Sequence, residues 1–217
     1  MIFRLLDDKP NIFPDPHFSE EDGLIAIGGD LSPERLIAAY NNGIFPWYGY
    51  KENEDIMWWY PLDRFVIFPK EIHISHSMRQ LIKKGTYKTT INQAFDKVIE
   101  NCSKTDKRNE QVGAWLGNDM INAYKKMYEL GLAVSVEVWD KEGNRVGGLY
   151  GININYNFFG ESMFSLVPSA SKLALICLAE QLKPFGGIID CQFETAHLLS
   201  MGGRHITYDE YMKYLRD

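Results

Sequence analysis

Val134-Ser135-Val136-Glu137-Val138-Trp139, carried on through the turn Asp140–Asn144 to Arg145–Ile154, Phe158–Phe164, Ser169–Leu182 and Ile188–Gln192, is the stretch that decides the fold. Val134, Val136 and Val138 alternate with Ser135, Glu137 and Trp139, the period of a strand with two unlike faces. Asp140–Asn144 contains Gly143 and reads as a hairpin turn, so Arg145–Ile154 returns antiparallel and Phe158–Phe164 follows as the next strand. Ser169 is expected to cap an apolar helix running to Leu182, and Gly186-Gly187 then opens the strand Ile188–Gln192. Antiparallel strands, a helix and a further strand predict a mixed α/β sheet with one right-handed crossover.

Upstream of this run, Phe65–Phe68 reads as a strand and His76–Lys84 as a helix stopped by Gly85. Asn92 is expected to cap a helix with Ala94, Phe95, Val98, Ile99 and Cys102 on one face. Gly117–Leu130 reads as another helix, and Thr207 with Glu210 makes a capping box for the last one. The first sixty residues are different in kind, with Phe13-Pro14-Asp15-Pro16, Gly28-Gly29-Asp30 and Gly43-Ile44-Phe45-Pro46-Trp47-Tyr48 around one short helix. That helix has Ser32 as N-cap, Pro33 in its first turn, and Leu36, Ile37 and Tyr40 as its apolar stripe. The chain therefore divides into a small loop-rich N-terminal domain, 1–62, and a larger domain, 63–217.

A chain of 217 residues that is 45% hydrophobic can bury one sizeable core or two unequal ones. Cys102, Cys177 and Cys191 are scattered and form no C-x-x-C pair, which points to a reducing compartment and away from a structural zinc. No basic leader precedes Asp7 and Asp8, and no apolar run is long enough to span a bilayer, so a cytoplasmic protein is expected. The net charge is −6, yet residues 64–108 hold ten basic and four acidic groups, leaving −12 for the remainder. Such an island, which includes Arg79, Lys83 and Lys84, can draw a polyanion to an acidic protein, or it can be a set of solvated helix faces.

Glu161 interrupts the apolar run 158–164, and Asp190 with Gln192 follows the Gly-Gly break. Carboxylates in such settings are costly unless used or satisfied. On regular strands Phe159, Glu161 and Met163 would share a face, with Ser162 and Phe164 on the other. Asp190 and Gln192 would likewise point together, with Cys191 opposite. Neighbouring strands would then line one cavity with these groups; the other reading is a pair of satisfied core polars. Trp47, Trp58, Trp59 and Trp115 fall outside the regular strands, where aromatics either stack on bases or plug a junction between domains.

Several strings together resemble one family, the bacterial N-end-rule aminoacyltransferases known as leucyl/phenylalanyl-tRNA–protein transferases. They are Gly23–Leu31, Tyr40–Trp47, Trp58-Trp59, Ser135–Trp139, Gly147–Gly151, Gly160–Ser165 and Ile189–Gln192, in that order along nearly the whole chain. The resemblance implies an acetyltransferase-like (GNAT) C-terminal domain behind the small one. It implies transfer of Leu or Phe, and Met weakly, from aminoacyl-tRNA to the α-amino group of proteins beginning with Arg or Lys, marking them for degradation. It places Glu161, Asp190 and Gln192 at the reaction centre, Leu149, Phe158 and Gly160 on the wall of the amino-acid pocket, and Trp47 and Trp115 at the terminal adenosine. Met163, which clusters with Leu149 and Phe158 in the motif strands, joins that wall, and the basic island is expected to meet the tRNA. An aminoacyl ester is already activated, so no cofactor or metal is expected; nor is a membrane partner, and a monomer is expected.

Three rivals use the same residues differently. A CoA-dependent acetyltransferase needs a [QR]-x-x-G-x-[GA] loop, which Arg145-x-x-Gly148-x-Tyr150 breaks at its last position. A cell-wall aminoacyltransferase of related fold would also consume aminoacyl-tRNA. A catalytically silent RNA-binding adaptor would have no reason to keep Glu161, Asp190 and Gln192 together.

Overall fold

Two sheets follow one another along the chain. The computed structural model describes residues 2–6, 8–47, 55–106 and 116–216. Trp115, Lys107 and Arg108 lie outside the described residues. The first sheet takes β1 (Phe3–Leu5), β2 (Leu24–Gly28), β3 (Phe45–Trp47) and β4 (Met57–Trp59) in the order β1-β2-β4-β3, with α1 (Pro33–Asn41) between β2 and β3. β1 and β2 are parallel and the other pairs antiparallel.

The second sheet has the order β11-β5-β10-β9-β8-β7-β6. Its elements in sequence are β5 (Arg64–Ile67), α2 (His76–Lys84), β6 (Lys88–Ile91), α3 (Phe95–Asp106), α4 (Asn118–Glu129), β7 (Ala133–Trp139), β8 (Arg145–Ile154) and β9 (Asn157–Ser165). α5 (Ala170–Leu182), β10 (Ile189–Asp190), α6 (Ala196–Ser200), β11 (Arg204–Ile206) and α7 (Tyr208–Arg216) complete it. β9 and β10 pair in parallel across α5, and the remaining neighbours are antiparallel. The protein is thus a mixed α/β fold, as the period-two run and the apolar helix predict.

Each face of the large sheet has its own core. On one face Val98, Met120, Tyr124, Tyr150, Phe159 and Phe164 belong to a cluster that continues into the small sheet through Tyr40, Trp58 and Ile25. On the other, α5 lays Leu173, Leu175, Ile176 and Leu178 against Val136, Val138, Leu149 and Phe158. Each such side chain, fully buried, contributes about 1.5–3 kcal/mol. With both faces covered, α5 and the central strands carry apolar residues all round, so α5 has no polar stripe to read.

Several local expectations change. Trp47, Trp58 and Trp59 lie in short strands rather than loops: their Pro- and Gly-rich flanks hide three-residue strands paired through β4. Trp58 is wholly buried, its indole N–H donating to the Gly28 carbonyl at 2.9 Å. Asn92 does not cap α3. It sits at φ 56° and spends its side chain and N–H on Ser135 of β7. The Glu137 carboxylate, reaching across from β7, accepts the N–H groups of Gln93 and Ala94 instead, at 3.3 Å each. Ser169, at φ 70°, makes no side-chain cap on α5; the Ser165 hydroxyl accepts the Ser171 N–H at 3.3 Å.

Candidate active site

β8 and β9 do not stay in simple register. Tyr150 faces Ser162, but the next residue, Gly151, faces Gly160, so Glu161 is the extra residue of a bulge. A bulge of one residue reverses the alternation beyond it. Phe159 and Phe164 consequently share one core, while Met163 joins Phe158 on the α5 side, which corrects the face assignment drawn from simple alternation. Gly151 is required there: a Cβ would come within 2.1 Å of the Phe159 carbonyl and 2.6 Å of the Phe158 ring.

The bulge points Glu161 at two buried tyrosines. α1 buries Leu36, Ala39 and Tyr40, and α4 buries Met120, Ala123, Tyr124 and Met127, each set at helical spacing. Tyr40 donates to Glu161 Oε1 at 2.7 Å and Tyr124 to Oε2 at 2.6 Å, and the two hydroxyl oxygens lie 2.9 Å apart. Burial, opposed by the Tyr124 and Tyr40 hydroxyls and helped by the charge of Asp190, lifts the Glu161 carboxyl to about 7. Burial, with Glu161 close by, holds both tyrosines well above the ordinary phenol range, so each keeps its proton.

Asp190 is built differently. It is wholly buried and does not line either cavity that meets at Glu161. Its Oδ1 accepts the backbone N–H of Gln192 at 2.9 Å, its Oδ2 accepts Tyr211 OH at 2.6 Å, and Arg64 Nη1 lies 3.5 Å from Oδ2. Arg64 is wholly buried as well, its guanidinium 4.6 Å from the Tyr211 ring centre, 4.8 Å from Tyr60 and 5.2 Å from Phe45, and Nη2 donates to the Gly43 carbonyl. Burial works against the Arg64 charge, but Asp190 and the surrounding phenols hold its pKa above the usual value.

β10 ends at Asp190, short of the expected Gln192. Gln192 sits at φ 58°, and the Phe193 N–H donates to the Cys191 carbonyl at 2.7 Å, closing a three-residue turn around it. Asp190 and Gln192 therefore do not project together from one strand. Asp190 turns inward and holds the Gln192 backbone, while Cys191 and Gln192 both line the cavity. Burial pushes the Cys191 thiol up, away from the range of a nucleophile.

Two cavities meet at Glu161 and Gln192. The larger, about 470 Å³, is walled by Leu149, Phe158, Met163, Leu175, Ile189 and Leu198, with Gly160 at its edge. The smaller, about 140 Å³, is lined by Phe45, Pro46, Trp47 and Phe193. Trp47 lies 5.6 Å from the Trp59 ring and 5.4 Å from Phe193, giving an aromatic shelf. Leu149, Phe158, Gly160 and Met163 are thus gathered in one pocket, Trp47 in the neighbouring one, and Trp115 lies outside the described residues. Arg79, Lys83 and Lys84 lie exposed on α2, whereas Arg64 of the same basic segment is a core residue. Sequence reasoning missed Tyr124, Tyr211, Phe193 and the role of Arg64. Tyr40 and Tyr124 carry the spacing of core residues, and nothing local marks them as partners of Glu161.

Comparison with known proteins assigns the family. The model of the leucyl/phenylalanyl-tRNA protein transferase family matches residues 66–216, and that of its N-terminal domain matches residues 29–62. The leucyl/phenylalanyl-tRNA–protein transferase of Flavobacterium psychrophilum is 50% identical over 205 residues, covering 94% of this chain and 95% of that one. That of Nitrosomonas europaea is 48% identical over 218 residues, covering 99% and 89%. Among solved structures, L-PGS from Bacillus licheniformis is similar at a TM-score of 0.42 and 12% identity, covering 81% of this chain and 57% of that one. An apolar pocket and an aromatic shelf joined at a carboxyl and an amide, in a chain matched along almost its whole length, belong together: this chain is a member of the leucyl/phenylalanyl-tRNA protein transferase family, and it is an aminoacyltransferase.

Proposed function

We propose that the protein moves Leu or Phe from the 3′ end of a charged tRNA to the α-amino group of proteins beginning with Arg or Lys. The observation that carries this reading is the meeting of the two cavities at Glu161 and Gln192. The 470 Å³ pocket suits the side chain being transferred, the Trp47–Phe193 shelf suits the terminal adenine, and the ester between them falls at the junction. Trp115 completes the adenosine site in this proposal, and Arg79, Lys83 and Lys84 meet the tRNA backbone. The acceptor α-amine, of pKa about 7.7–8.0, is neutral in a fraction of about a tenth or more at pH 7, so positioning is the main task left. The Gln192 carbonyl orients that amine, and Asp190 serves by holding the Gln192 backbone in its turn. The direct test is purified protein with labelled Leu-tRNA and a peptide beginning with Arg. An extended peptide is expected, and its absence with an Arg or Lys acceptor overturns the reading.

The pocket wall makes a second expectation. A hydrophobic pocket separates side chains differing by one methylene by only about 1–3 kcal/mol. Met-tRNA should therefore be a poorer but real donor, and Arg- or Asp-charged tRNA should give no product. Efficient transfer of either charged residue would contradict an apolar pocket. For the tRNA contact, Lys83→Ala with Lys84→Ala should weaken tRNA binding and reduce the slope of log K against log salt by about 2. An unchanged slope would move the contact away from α2.

A further inference from the structure

The Tyr40, Glu161 and Tyr124 side chains form a triangle in which each pair of groups is within hydrogen-bond distance: 2.7, 2.6 and 2.9 Å. The triangle has three edges and needs one hydrogen for each. Each phenol brings one O–H, and an ionised carboxylate brings none. With Glu161 ionised, both phenols donate to it, and the contact between the two hydroxyl oxygens is left without a hydrogen. With one more proton, carried by Glu161, every edge has its hydrogen: carboxyl to one phenol, that phenol to the other, and that phenol back to the carboxyl. Both phenols are wholly buried, so no solvent replaces the missing donor.

From this we infer that Tyr40, Glu161 and Tyr124 are a proton-exchange ring for the transfer step, with Glu161 the catalytic member and the two tyrosines positioning it. The inference rests on the aminoacyl-transfer reading above. As the amine nitrogen bonds to the ester carbonyl carbon and the bond from that carbon to the ribose oxygen breaks, Glu161 turns its O–H from the phenol into the cavity and gives that proton to the departing oxygen, the two phenols then both donating to the carboxylate. The nitrogen, now cationic, returns one of its protons to Glu161. One proton moves from nitrogen to oxygen in total, an amide and a free hydroxyl result, and the ring ends as it began.

Two observations support Glu161 rather than Asp190 in this role. Glu161 lines both cavities, whereas Asp190 lines neither and is engaged by Arg64, Tyr211 and the Gln192 N–H. A carboxyl lifted to about 7 both gives and takes a proton readily near neutral pH. Among the described residues the titratable groups around it are Tyr40 from α1, Tyr124 from α4, Tyr150 of β8 through its contact with Tyr124, and Asp190 from β10 with Arg64 behind it, while Cys191 and His197 line the same larger cavity. Burial holds Tyr40 and Tyr124 well above the ordinary phenol range, and burial together with the Lys172 charge pushes His197 below the usual imidazole range.

The decisive variant is Glu161→Gln. A carboxamide keeps one acceptor and supplies N–H donors, so it can close the same triangle, but it transfers no proton. The experiment compares turnover against pH for wild type, Glu161→Gln and Tyr124→Phe, on one peptide acceptor, with aminoacyl-tRNA binding measured beside it. Wild type should show a limb rising with the acceptor amine and a second falling as the ring loses its proton. Glu161→Gln should bind aminoacyl-tRNA normally, lose about 10²–10⁴-fold in turnover and lack the falling limb. Tyr124→Phe removes a donor to the ionised form and should move the falling limb up by roughly one to two pH units. A Glu161→Gln enzyme that turns over like wild type, or keeps the same falling limb, overturns the ring. If wild type makes no extended peptide at all, the aminoacyl-transfer reading fails instead.

Discussion

Asp190→Ala is expected to destabilise the protein by about 3–5 kcal/mol as well as to abolish transfer, because it strips a buried ion pair of one partner. Arg64 would remain wholly buried, facing three aromatic rings with no carboxylate beside it. The Gln192 N–H and the Tyr211 hydroxyl would lose their acceptor at the same time. For a chain of this size such a loss corresponds to a fall in Tm on the order of 10 °C. Asp190→Asn keeps an oxygen for one of the two donors and should fall between wild type and Ala. Urea denaturation of the three proteins checks the ordering. A fully stable Asp190→Ala protein that is merely inactive would show that Asp190 meets substrate and that the buried pair is not what holds the turn.

Glu137→Ala should be nearly as damaging, although Glu137 is far from both cavities in role. The carboxylate is wholly buried and accepts from Thr90 Oγ1 at 2.5 Å, Ser135 Oγ at 2.6 Å, and the N–H groups of Gln93 and Ala94. Each buried donor left without an acceptor costs about 1–3 kcal/mol, and these four share one site, so about 4 kcal/mol is expected rather than a full sum. The loss should be felt first at the start of α3, where hydrogen exchange of the amides at 93–98 should quicken more than that of β8. Unchanged denaturation together with unchanged exchange at 93–98 would mean that α3 does not depend on this cap. Glu137→Gln, retaining one acceptor oxygen, should recover part of the stability.

The elements were legible where one local period was enough. The alternation Val134–Val138, the turn at Gly143 and the place of Tyr40 on the apolar stripe of α1 depend on near neighbours, and the structure has them as read. The caps of α3 and α5 were misread because Asn92 and Ser169 are good local candidates. Both lie in the left-handed region, while Glu137 and Ser165 supply the acceptors. A capping acceptor that arrives from a neighbouring strand leaves no mark in the sequence beside the helix. The three-residue strands holding Trp47 and Trp58 were also invisible, since a strand that short is defined by its pairing and not by its own pattern.

The candidate site divides in the same way. The apolar wall of Leu149, Phe158 and Met163 was implied by the family resemblance, whereas the residues alone specified the mixed α/β class and the presence of Glu161, Asp190 and Gln192 in costly surroundings. Residue type and hydrophobic pattern carry that information directly. Only the tertiary structure decided which way those three side chains point. The bulge turns Glu161 towards Tyr40 and Tyr124, and the positive φ of Gln192 takes it off the strand into the cavity wall. Asp190, read as a partner of Gln192 at the surface of a pocket, is drawn inward by Arg64 from β5 and Tyr211 from α7. Those partners lie far away in sequence, and the energy of a buried charge is set by what surrounds it in space.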